Sequence, residues 1–374
     1  MKKDILTRLR AEGNPLISGK RATFYWMGDQ PPHLISDLHD WEDGPQPLDP
    51  VPGSATPLWS TSLTLPRDAY VEYAFFDPHT HQRYADPFNP RSVNNGVGGR
   101  NHFFYMPESA PTPLARVHAD GKRGTVTRYK VETWMLAEDG QRDVYLYQPP
   151  VRTPVPLLVV YDGPDYLRRA QLATLVDNLI AEKRIRPIAM AFLQNGRSRR
   201  GVEYACSDAV IAWHDHVILP LAREHLNLLN IQRNPGTYGV LGASFGGLIS
   251  LYTGLRMPEV FGKVLSQSGV FESEGRDFAA VDLVRAGQAH DQLKIWMDVG
   301  RFDSLLEDNR RMQPILREHG YDVTYREFSG GHNYTAWRDD VWRGLEALFP
   351  AERTTSERSE PRRKLKPNGI QSKL

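Results

Sequence analysis

The run Gly242–Gly247, which reads Gly-Ala-Ser-Phe-Gly-Gly, constrains the fold of this chain more than any other feature. It follows an apolar, strand-like run, Thr237–Leu241, and precedes a helix-like run, Leu248–Tyr252. A serine in a tight turn between a strand and a helix is exposed and strained, as the reactive serine of a Gly-x-Ser-x-Gly motif is. The flanking glycines fit this turn because larger side chains would collide with the strand and the helix. The pattern predicts that Ser244 is a nucleophile.

A regular alternation of strands and helices surrounds this turn. Apolar runs rich in β-branched residues predict strands at Leu157–Tyr161, Ile188–Leu193, Thr237–Leu241, Val264–Ser268, Ile295–Val299 and Val323–Phe328. Helical periodicity lies between them at Ala170–Lys183, Ala209–Leu228, Gly246–Arg256 and Leu305–His319. Such alternation predicts an α/β fold with a mostly parallel, doubly wound sheet, whose ligands bind at the carboxyl ends of the strands. We also expect a pair of strands, Val126–Glu132 and Val144–Tyr147, just before these alternating elements in the chain.

The first part of the chain has a different character. Short, aromatic and partly alternating runs, such as Ala22–Met27, Leu58–Leu65 and Tyr70–Phe76, are separated by clusters of proline and glycine. Short strands without helical segments between them predict an antiparallel β-sandwich.

Changes of composition predict the domain boundaries. Leu114–Gly124 is polar and is the expected connector. We therefore expect a sandwich domain at 1–118 that covers the substrate and an α/β catalytic domain at 119–350. Residues 351–374 are highly charged and contain no aromatic residue, which predicts a disordered tail.

The charge balance bears on the class of partner. The chain has 46 Lys and Arg residues against 45 Asp and Glu residues, a formal net charge of +1. A balance this close to neutral argues against a nucleic-acid or membrane-surface partner. No apolar run has the length of a transmembrane helix, and the charged start of the chain does not resemble a secretory signal.

Cysteine and histidine bear on the compartment and on cofactors. Cys206 is the only cysteine, so no disulfide forms within the chain and the reducing cytoplasm is the expected compartment. The pairs His79/His81 and His214/His216 lack a third ligand at metal-binding spacing, and we expect them to be solvated. We therefore predict neither a metal site nor a cofactor.

A serine nucleophile needs a base and an acid, which follow it along the chain in this class of sheet. His332 comes after two glycines and the last predicted strand, and it is the expected base. Asp303 comes one turn after the preceding strand and is the expected acid, although it could instead cap the next helix. Glu307 remains the alternative acid, and Asp298, inside the strand, fits less well.

Two backbone N–H groups are expected to bind the oxyanion formed during attack on an ester. Phe245, the residue after the serine, supplies the first. The second should come from the loop after the strand Leu157–Tyr161, where Pro164 has no N–H group. Gly163 or Asp165 must then be the second donor.

A basic loop follows the strand Ile188–Leu193. It carries Arg197, Arg199 and Arg200 at the carboxyl edge of the predicted sheet, followed by Glu203. One interpretation is a set of substrate-binding residues that recognise an anionic ester. The other is a run of solvated charges, and the sequence does not decide between them.

The motifs together resemble the enterochelin (enterobactin) esterases, in the esterase D-like branch of the α/β-hydrolases. The resemblance is carried by Gly242–Tyr252, Met257–Gly269, Arg200–Ser207, Asp162-Gly163, Gly330-Gly331-His332 and, near the amino terminus, Tyr25-Trp26 and Ala85–Arg91. It covers nearly the whole chain except the tail. Departures from the family pattern are Pro164, Ala243 and an aspartate, Asp303, in place of glutamate.

The resemblance implies an α/β-hydrolase sheet preceded by an immunoglobulin-like (early-set) β-sandwich. It also implies a serine esterase that hydrolyses the ester bonds of a ferric catecholate trilactone, an anionic small molecule that brings its own iron. Two alternatives remain open: a feruloyl or acetyl esterase that acts on carbohydrates, and a binding protein without catalysis, against which the full Ser-Asp-His set argues.

Overall fold

The computed structural model describes residues 2–351 except 40, 42–43, 55, 97, 119–120 and 139. The disordered tail predicted for 351–374 lies outside the described residues apart from Ala351. Each helix in the described ranges is too short or too polar to cross a lipid bilayer.

The amino-terminal part of the described chain begins with α1 (Lys2–Glu12) and continues as short strands. These are β1 (Leu16–Ser18), β2 (Arg21–Met27), β3 (His33–Ser36), β4 (Gln46–Pro47), β5 (Asp49–Pro50), β6 (Leu58–Thr64), β7 (Tyr70–Asp77), β8 (Gln82–Tyr84), β9 (Ser92–Asn94) and β10 (Arg100–Tyr105). One antiparallel sheet has the order β1-β2-β6-β5, and the other has the order β4-β3-β7-β10-β9, with β8 paired to β7.

The two sheets pack face to face around an aromatic core. Phe24 of β2 meets Tyr73 of β7 with ring centroids 4.8 Å apart and Phe104 of β10 at 5.6 Å. All three rings are fully buried. Alternation along β2 places Ala22 and Phe24 inside, which is the period-2 pattern that predicted a sandwich.

The second part of the described chain is built on strands β11 to β20. They are β11 (Thr125–Glu132), β12 (Gln141–Gln148), β13 (Leu157–Val160), β14 (Ala189–Leu193), β15 (Gly239–Ala243), β16 (Lys263–Gln267), β17 (Glu272–Ser273), β18 (Arg276–Asp277), β19 (Lys294–Gly300) and β20 (Asp322–Phe328). The main sheet has the order β11-β12-β14-β13-β15-β16-β19-β20. From β14 to β20 neighbouring strands are parallel, whereas β11 and β12 are antiparallel, so the sheet is mixed.

Helices cover both faces of this sheet, which is why its central strands, β13 to β16 and β19, are buried on both sides. They are α2 (Gly163–Arg168), α3 (Leu172–Ala181), α4 (Arg200–Tyr204), α5 (Asp208–Trp213), α6 (Leu219–His225), α7 (Phe245–Arg256), α8 (Ala279–Ala286), α9 (Leu306–Glu318) and α10 (Tyr334–Leu348). Residues of α3 and α10 pack on one face, and residues of α5 to α9 pack on the other.

The helix predicted at Ala209–Leu228 is interrupted. One turn of π-helix, His214–Ile218, separates α5 from α6. Pro220 lies in the first turn of α6 and has no N–H group to donate to the preceding turn, so the regular hydrogen-bond ladder cannot continue through it. The predicted strands of the main sheet lie within two residues of the observed ones at each end, except that β12 begins at Gln141, three residues before the predicted start at Val144.

The connector predicted at Leu114–Gly124 is docked rather than free. Leu114 is buried, and Asn178 Nδ2 of α3 donates to the carbonyls of Leu114 and Arg116 at 2.7 and 2.8 Å. The backbone N–H of Gly124 donates to Asp177 Oδ1 at 2.8 Å. The connector is therefore held against α3.

Candidate active site

Ser244 lies in the turn between β15 and α7 with φ 60° and ψ −126°. A positive φ is costly for a residue other than glycine, and it persists where the surrounding structure enforces it. A Cβ at Gly242 would overlap the backbone of Gly246, and a Cβ at Gly247 would lie 2.6 Å from Ser266 Oγ. The glycines therefore let α7 begin directly against β15 and β16. The Ser244 side chain is left partly exposed at the carboxyl edge of the sheet.

His332 and Asp303 come from the loops that follow β20 and β19. His332 Nδ1 lies 3.0 Å from both carboxylate oxygens of Asp303, whose Oδ1 also accepts the Leu305 N–H at 2.9 Å. Burial raises the pKa of the Asp303 carboxyl. The charge of His332 and hydrogen bonds from His332, Ser268 and Leu305 outweigh burial, so this pKa lies below its ordinary value. An ionised carboxylate only accepts, so Nδ1 is the protonated nitrogen and Nε2 is free to act as a base.

The other two acids considered for this role have different surroundings. Glu307 is exposed and forms an ion pair with an arginine of its own helix at 2.7 Å. Asp298 is buried in β19 and accepts the Trp296 Nε1–H at 2.8 Å, and burial raises the pKa of Asp298 to about 8. Among these three candidates, the structure brings Asp303 to His332.

Ser244 and His332 line one cleft with a volume of about 340 Å³. Both parts of the protein contribute to its wall, which is formed by Asn95, Gly96, Asp162, Asp165, Arg169, Asn195, Arg200, Ala243, Ser244, His332, Asn333, Tyr334 and Trp337. Asn95 and Gly96 belong to the turn between β9 and β10. The sandwich therefore forms part of the wall around the serine.

The predicted oxyanion donors differ in their surroundings. Phe245 opens α7, so its N–H has no acceptor within the helix and lies next to Ser244. Gly163 opens α2, but it packs so tightly against β14 that a Cβ would overlap the strand, and it does not line the cleft. The N–H of Asp165 is already bonded to the Asp162 carbonyl at 3.0 Å. The assignment of the Gly163 N–H as the second donor therefore stays a prediction.

The prediction of a cationic site formed by three arginines is corrected by the structure. Arg200 lines the cleft, but its Nε and Nη2 bind the two carboxylate oxygens of Asp162 at 2.8 and 2.7 Å. Arg197 and Arg199 lie in a 3-10 turn before α4, are exposed, and do not line the cleft. The loop therefore contributes one arginine to the cleft, and an aspartate compensates its charge.

Glu203, also predicted to contact the substrate, is placed elsewhere. Its carboxylate is 2% exposed and accepts from both Nη1 and Nη2 of Arg142, at 2.6 Å each. Glu203 does not line the cleft, because α4 turns its side chain toward β12. This buried, fully paired carboxylate stabilises the position of α4, and the prediction of substrate contact is corrected.

We expect Glu203→Gln to lower the free energy of unfolding by about 3 kcal/mol, because the substitution leaves Arg142 buried without a counter-ion. The KM of the folded enzyme should stay within about twofold, since Glu203 is not part of the cleft wall. Urea unfolding and steady-state kinetics measure the two effects. A variant with unchanged stability and a strongly raised KM would return Glu203 to the substrate site.

Arg169, Tyr334 and Asn95 line the cleft but were not identified from the sequence. The Arg169 guanidinium lies 4.4 Å from the centroid of the Tyr334 ring, and its Nη2 donates to the Asn94 carbonyl at 3.1 Å. Within the described residues, Arg169 Nε has no hydrogen-bond partner. No local pattern marks Arg169 or Asn95, whereas the position of Tyr334, two residues after His332, is a signal that could have identified it.

A carboxylate of the sandwich contacts the loop that carries His332. Asp37 is buried and accepts from Asn333 Nδ2 at 3.3 Å and from the Glu72 N–H at 2.8 Å. Burial, followed by the charge of Glu72, raises the pKa of Asp37. A Cβ at Gly331 would overlap Asp37. The second glycine of the Gly330-Gly331 pair is thus required by the close approach of the sandwich to this loop.

The described residues include no group of three or more His, Cys, Asp or Glu side chains placed to hold a metal ion. His79, His81 and His216 are exposed, as predicted. His214 is fully buried, with Nε2 2.6 Å from the Tyr161 hydroxyl, and burial lowers the pKa of His214 to about 3. The prediction that His214 is solvated is wrong, because the π-helical turn directs it into the core.

The mixed sheet, the helices on both faces and the strained serine after β15 define an α/β-hydrolase fold. Solved structures show the same fold. The enterobactin esterase from Shigella flexneri, determined in the presence of enterobactin, matches with a TM-score of 0.71 and 21% identity, over 88% of this chain and 92% of that chain. A ferulic acid esterase from Anaeromyces mucronatus matches with a TM-score of 0.55 and 16% identity, over 65% and 97%.

The chain belongs to the putative esterase family, whose model matches residues 137–348. The iron(III) enterobactin esterase of Dickeya dadantii is 26% identical over 91% of this chain and 91% of its own length. The enzyme of the same name from Escherichia coli K12 is 26% identical over 72% of this chain and 68% of its own length. The iron(III) salmochelin esterase of E. coli O6:H1 is 21% identical over 88% and 87%. The resemblance to enterochelin esterases is confirmed.

Proposed function

We propose that the protein is a serine esterase that hydrolyses the ester bonds of a ferric catecholate siderophore, an enterobactin-like trilactone, so that iron can be released. The observation that carries the chemistry is one cleft that contains Ser244 and His332, with His332 Nδ1 3.0 Å from Asp303. The substrate class is supported by two relatives, an iron(III) enterobactin esterase and an iron(III) salmochelin esterase, which align with 91% and 88% of this chain. The presence of a single cysteine favours the reducing cytoplasm as the compartment.

In the proposed mechanism, Ser244 Oγ attacks the ester carbonyl while His332 Nε2 takes the hydroxyl proton. Asp303 keeps Nδ1 protonated and stabilises the imidazolium that forms. The Phe245 N–H, with Gly163 as the second donor, binds the oxyanion. His332 then protonates the departing alkoxide, and a water molecule that it activates hydrolyses the acyl-enzyme. The iron stays with the catecholates of the substrate throughout and takes no part in these steps.

Recognition of an anionic substrate is assigned to Arg169 in addition to Arg200. The cleft wall carries two arginines and two aspartates, so net charge does not explain anion binding. Asp162 compensates Arg200 through two short hydrogen bonds, whereas the Arg169–Asp165 contact is 3.5 Å long. Of the two arginines, Arg169 is therefore better able to donate hydrogen bonds to a phenolate or carboxylate oxygen of the substrate.

We expect Arg169→Gln to raise the KM for a ferric catecholate ester about tenfold, because a charge-assisted hydrogen bond is lost. The KM for a neutral p-nitrophenyl ester should change less than twofold. Arg168→Gln is the matched control, since Arg168 is the neighbouring arginine on α2, is exposed and does not line the cleft. Equal effects of Arg169→Gln on both substrates would contradict a role in recognising charge.

We also propose that 1–118 is an immunoglobulin-like (early-set) domain that covers the substrate and that 119–350 is the catalytic domain. Two packed antiparallel sheets with a shared aromatic core support the first assignment. The contribution of Asn95 and Gly96 to the cleft wall supports the covering role.

The substrate is tested by incubating the purified protein with ferric and iron-free catecholate trilactones and identifying linear fragments by mass spectrometry. We expect stepwise opening of the trilactone to linear trimer, dimer and monomer. Feruloylated and acetylated oligosaccharides are run in parallel. Cleavage of the sugar esters without cleavage of either trilactone would replace the siderophore by a carbohydrate ester as the substrate.

A further inference from the structure

The sandwich contacts both loops that carry the proposed acid and base. The N–H of Tyr70, the first residue of β7, donates to the Ser329 carbonyl in the loop after β20 at 2.9 Å. Phe302, the residue before Asp303, packs against the aromatic core of the sandwich. The Phe302 N–H also donates to the Gly330 carbonyl at 3.0 Å, which joins the two loops to each other. The positions of both loops therefore depend on the sandwich.

Asp37 of the sandwich makes a contact directly beside His332. It is buried at the start of a 3-10 turn that follows β3. Its two carboxyl oxygens lie 3.5 and 3.3 Å from Nδ2 of Asn333, the residue after His332. The N–H of Glu72 on β7 donates to Oδ2 of Asp37 at 2.8 Å, which keeps the carboxyl group directed at the loop. A Cβ at Gly331 would lie 2.3 Å from Asp37 Cγ, so the loop packs directly on Asp37.

Asn333 connects Asp37 to the start of α10. Its Oδ1 accepts the Ala336 N–H at 2.9 Å and caps the helix. Because the helix uses the amide oxygen, the amide nitrogen points the other way and donates to Asp37. The Asn333 carbonyl accepts the Trp337 N–H at 3.1 Å, and the Trp337 ring packs edge-on against His332 with centroids 4.8 Å apart. Asp37 thus fixes the side chain that begins the helix against which His332 packs.

The loss of Asp37 would disturb this arrangement at the base. Asn333 is buried, and a buried donor without its acceptor is costly, so the side chain and its loop would shift toward another partner. The imidazole is held by Asp303, whose two oxygens lie 3.0 Å from His332 Nδ1. Proton transfer requires this geometry, and a displacement of about 1 Å can lower a rate by about 100-fold.

We propose that Asp37 is a positioning residue for the reaction: through the Asn333 side chain, this carboxyl group of the sandwich holds His332 in the orientation that proton transfer from Ser244 requires. This inference rests on the proposed function, because it assigns Asp37 a role through the Ser244–His332–Asp303 triad. Asp37 does not line the cleft, so it acts on kcat and not through contact with the substrate.

The test is Asp37→Ala, assayed with a neutral p-nitrophenyl ester. Active sites are counted by complete reaction of Ser244 with an alkyl phosphonofluoridate, so that kcat is expressed per reactive site. We expect this kcat to fall about 10- to 100-fold, with KM within about twofold and the number of sites unchanged. A role limited to stability would lower the number of sites and leave the rate per site at the wild-type value, which would overturn the proposal.

Asp86→Ala is the matched control. Asp86 is another buried aspartate of the sandwich, where it accepts from Asn14 Nδ2 at 2.8 Å and from the Tyr73 hydroxyl at 2.6 Å. Its partners belong to the sandwich, so its loss should leave kcat per reactive site within about twofold. An equal loss of kcat in Asp86→Ala and Asp37→Ala would assign the effect to the sandwich as a whole and overturn the specific role of Asp37.

A second variant tests the connection through Asn333 and serves if Asp37→Ala does not fold. Asn333→Ser keeps an oxygen that can cap α10 but removes the Nδ2 that reaches Asp37, so kcat per site should again fall about 10- to 100-fold. In this background, Asp37→Ala should cause less than about a twofold further loss. Unchanged kcat in Asn333→Ser, or an equal loss from Asp37→Ala in both backgrounds, would overturn the proposal.

Failure of the proposed function has a different signature, because Ser244→Ala would then retain activity. Loss of activity in Ser244→Ala, together with full kcat per site in Asp37→Ala, overturns the role of Asp37 alone.

Discussion

Replacing Ser244 by alanine is expected to lower kcat for any ester by on the order of 10⁵-fold, because the variant lacks the oxygen that forms the acyl-enzyme. Ser244 is the serine that lines the cleft in the described chain, and it follows β15 in a tight turn that Gly242 and Gly247 make possible. The remaining activity reflects binding and the oxyanion donors alone. Steady-state hydrolysis of a p-nitrophenyl ester by the purified variant measures the loss.

Ser250→Ala is the matched control for this experiment. Ser250 lies on α7, the helix that follows Ser244, where its Oγ donates to the Gly246 carbonyl at 2.7 Å, and it does not line the cleft. Its replacement should leave kcat within about threefold, since one neutral hydrogen bond is lost away from the cleft. If Ser244→Ala kept a tenth or more of the wild-type kcat, Ser244 would not be the nucleophile.

Asp303→Asn is expected to lower kcat about 10⁴-fold near neutral pH while leaving KM and the fold nearly unchanged. The amide can donate to His332 Nδ1, which favours the tautomer that carries its proton on Nε2. A protonated Nε2 cannot accept the serine proton, so the base is lost although its ring remains in place. Kinetics at pH 7 and a thermal unfolding curve of the same sample measure both parts of the prediction.

Glu307→Gln is the comparison for Asp303→Asn. Glu307 was the alternative acid from sequence, and in the structure its side chain is exposed and paired on the helix surface. Its substitution should leave kcat within about twofold. The opposite pattern, with strong loss in Glu307→Gln and little in Asp303→Asn, would assign the acid to Glu307.

Those features of the site that are local in sequence could be predicted. Ser244, Asp303 and His332 each follow an apolar strand, and parallel strands bring their carboxyl ends to one edge of a sheet. The order of the motifs therefore predicts that these three residues lie close together. The choice of Asp303 over Glu307 was not decided by sequence, because both lie near the start of α9 and only the loop geometry separates them.

Features that depend on packing between distant segments could not be predicted. The Glu203 side chain is directed by its ion pair with Arg142, and the Arg200 side chain by its ion pair with Asp162. Arg142 and Asp162 take their positions from the pairing of β12, β13 and β14. A run of charges has no period that reveals such partners, so three arginines and one glutamate looked equivalent as substrate contacts. The sequence also did not identify Arg169 as a cleft residue, because its side chain is held by the carbonyl of Asn94, in the distant segment where β9 ends.

The requirement for a second glycine before His332 also has a distant cause. Gly331 faces Asp37, a residue nearly 300 positions earlier in the chain, and the contact exists only because the sandwich packs on the loop after β20. The glycine pair was visible in the sequence as a loop signal. Its partner was not, because no pattern within the sandwich marks Asp37 as an interface residue.

The most direct test of the account is the reaction of the protein with an alkyl phosphonofluoridate. This reagent transfers its phosphonyl group to an activated serine oxygen, fluoride leaves, and the serine proton passes to the neighbouring base. We predict one phosphonyl group per chain, located on Ser244 by peptide mass spectrometry, with loss of esterase activity in proportion and protection by a catecholate trilactone. Modification of another residue, or full esterase activity after Ser244 is modified, would contradict the account.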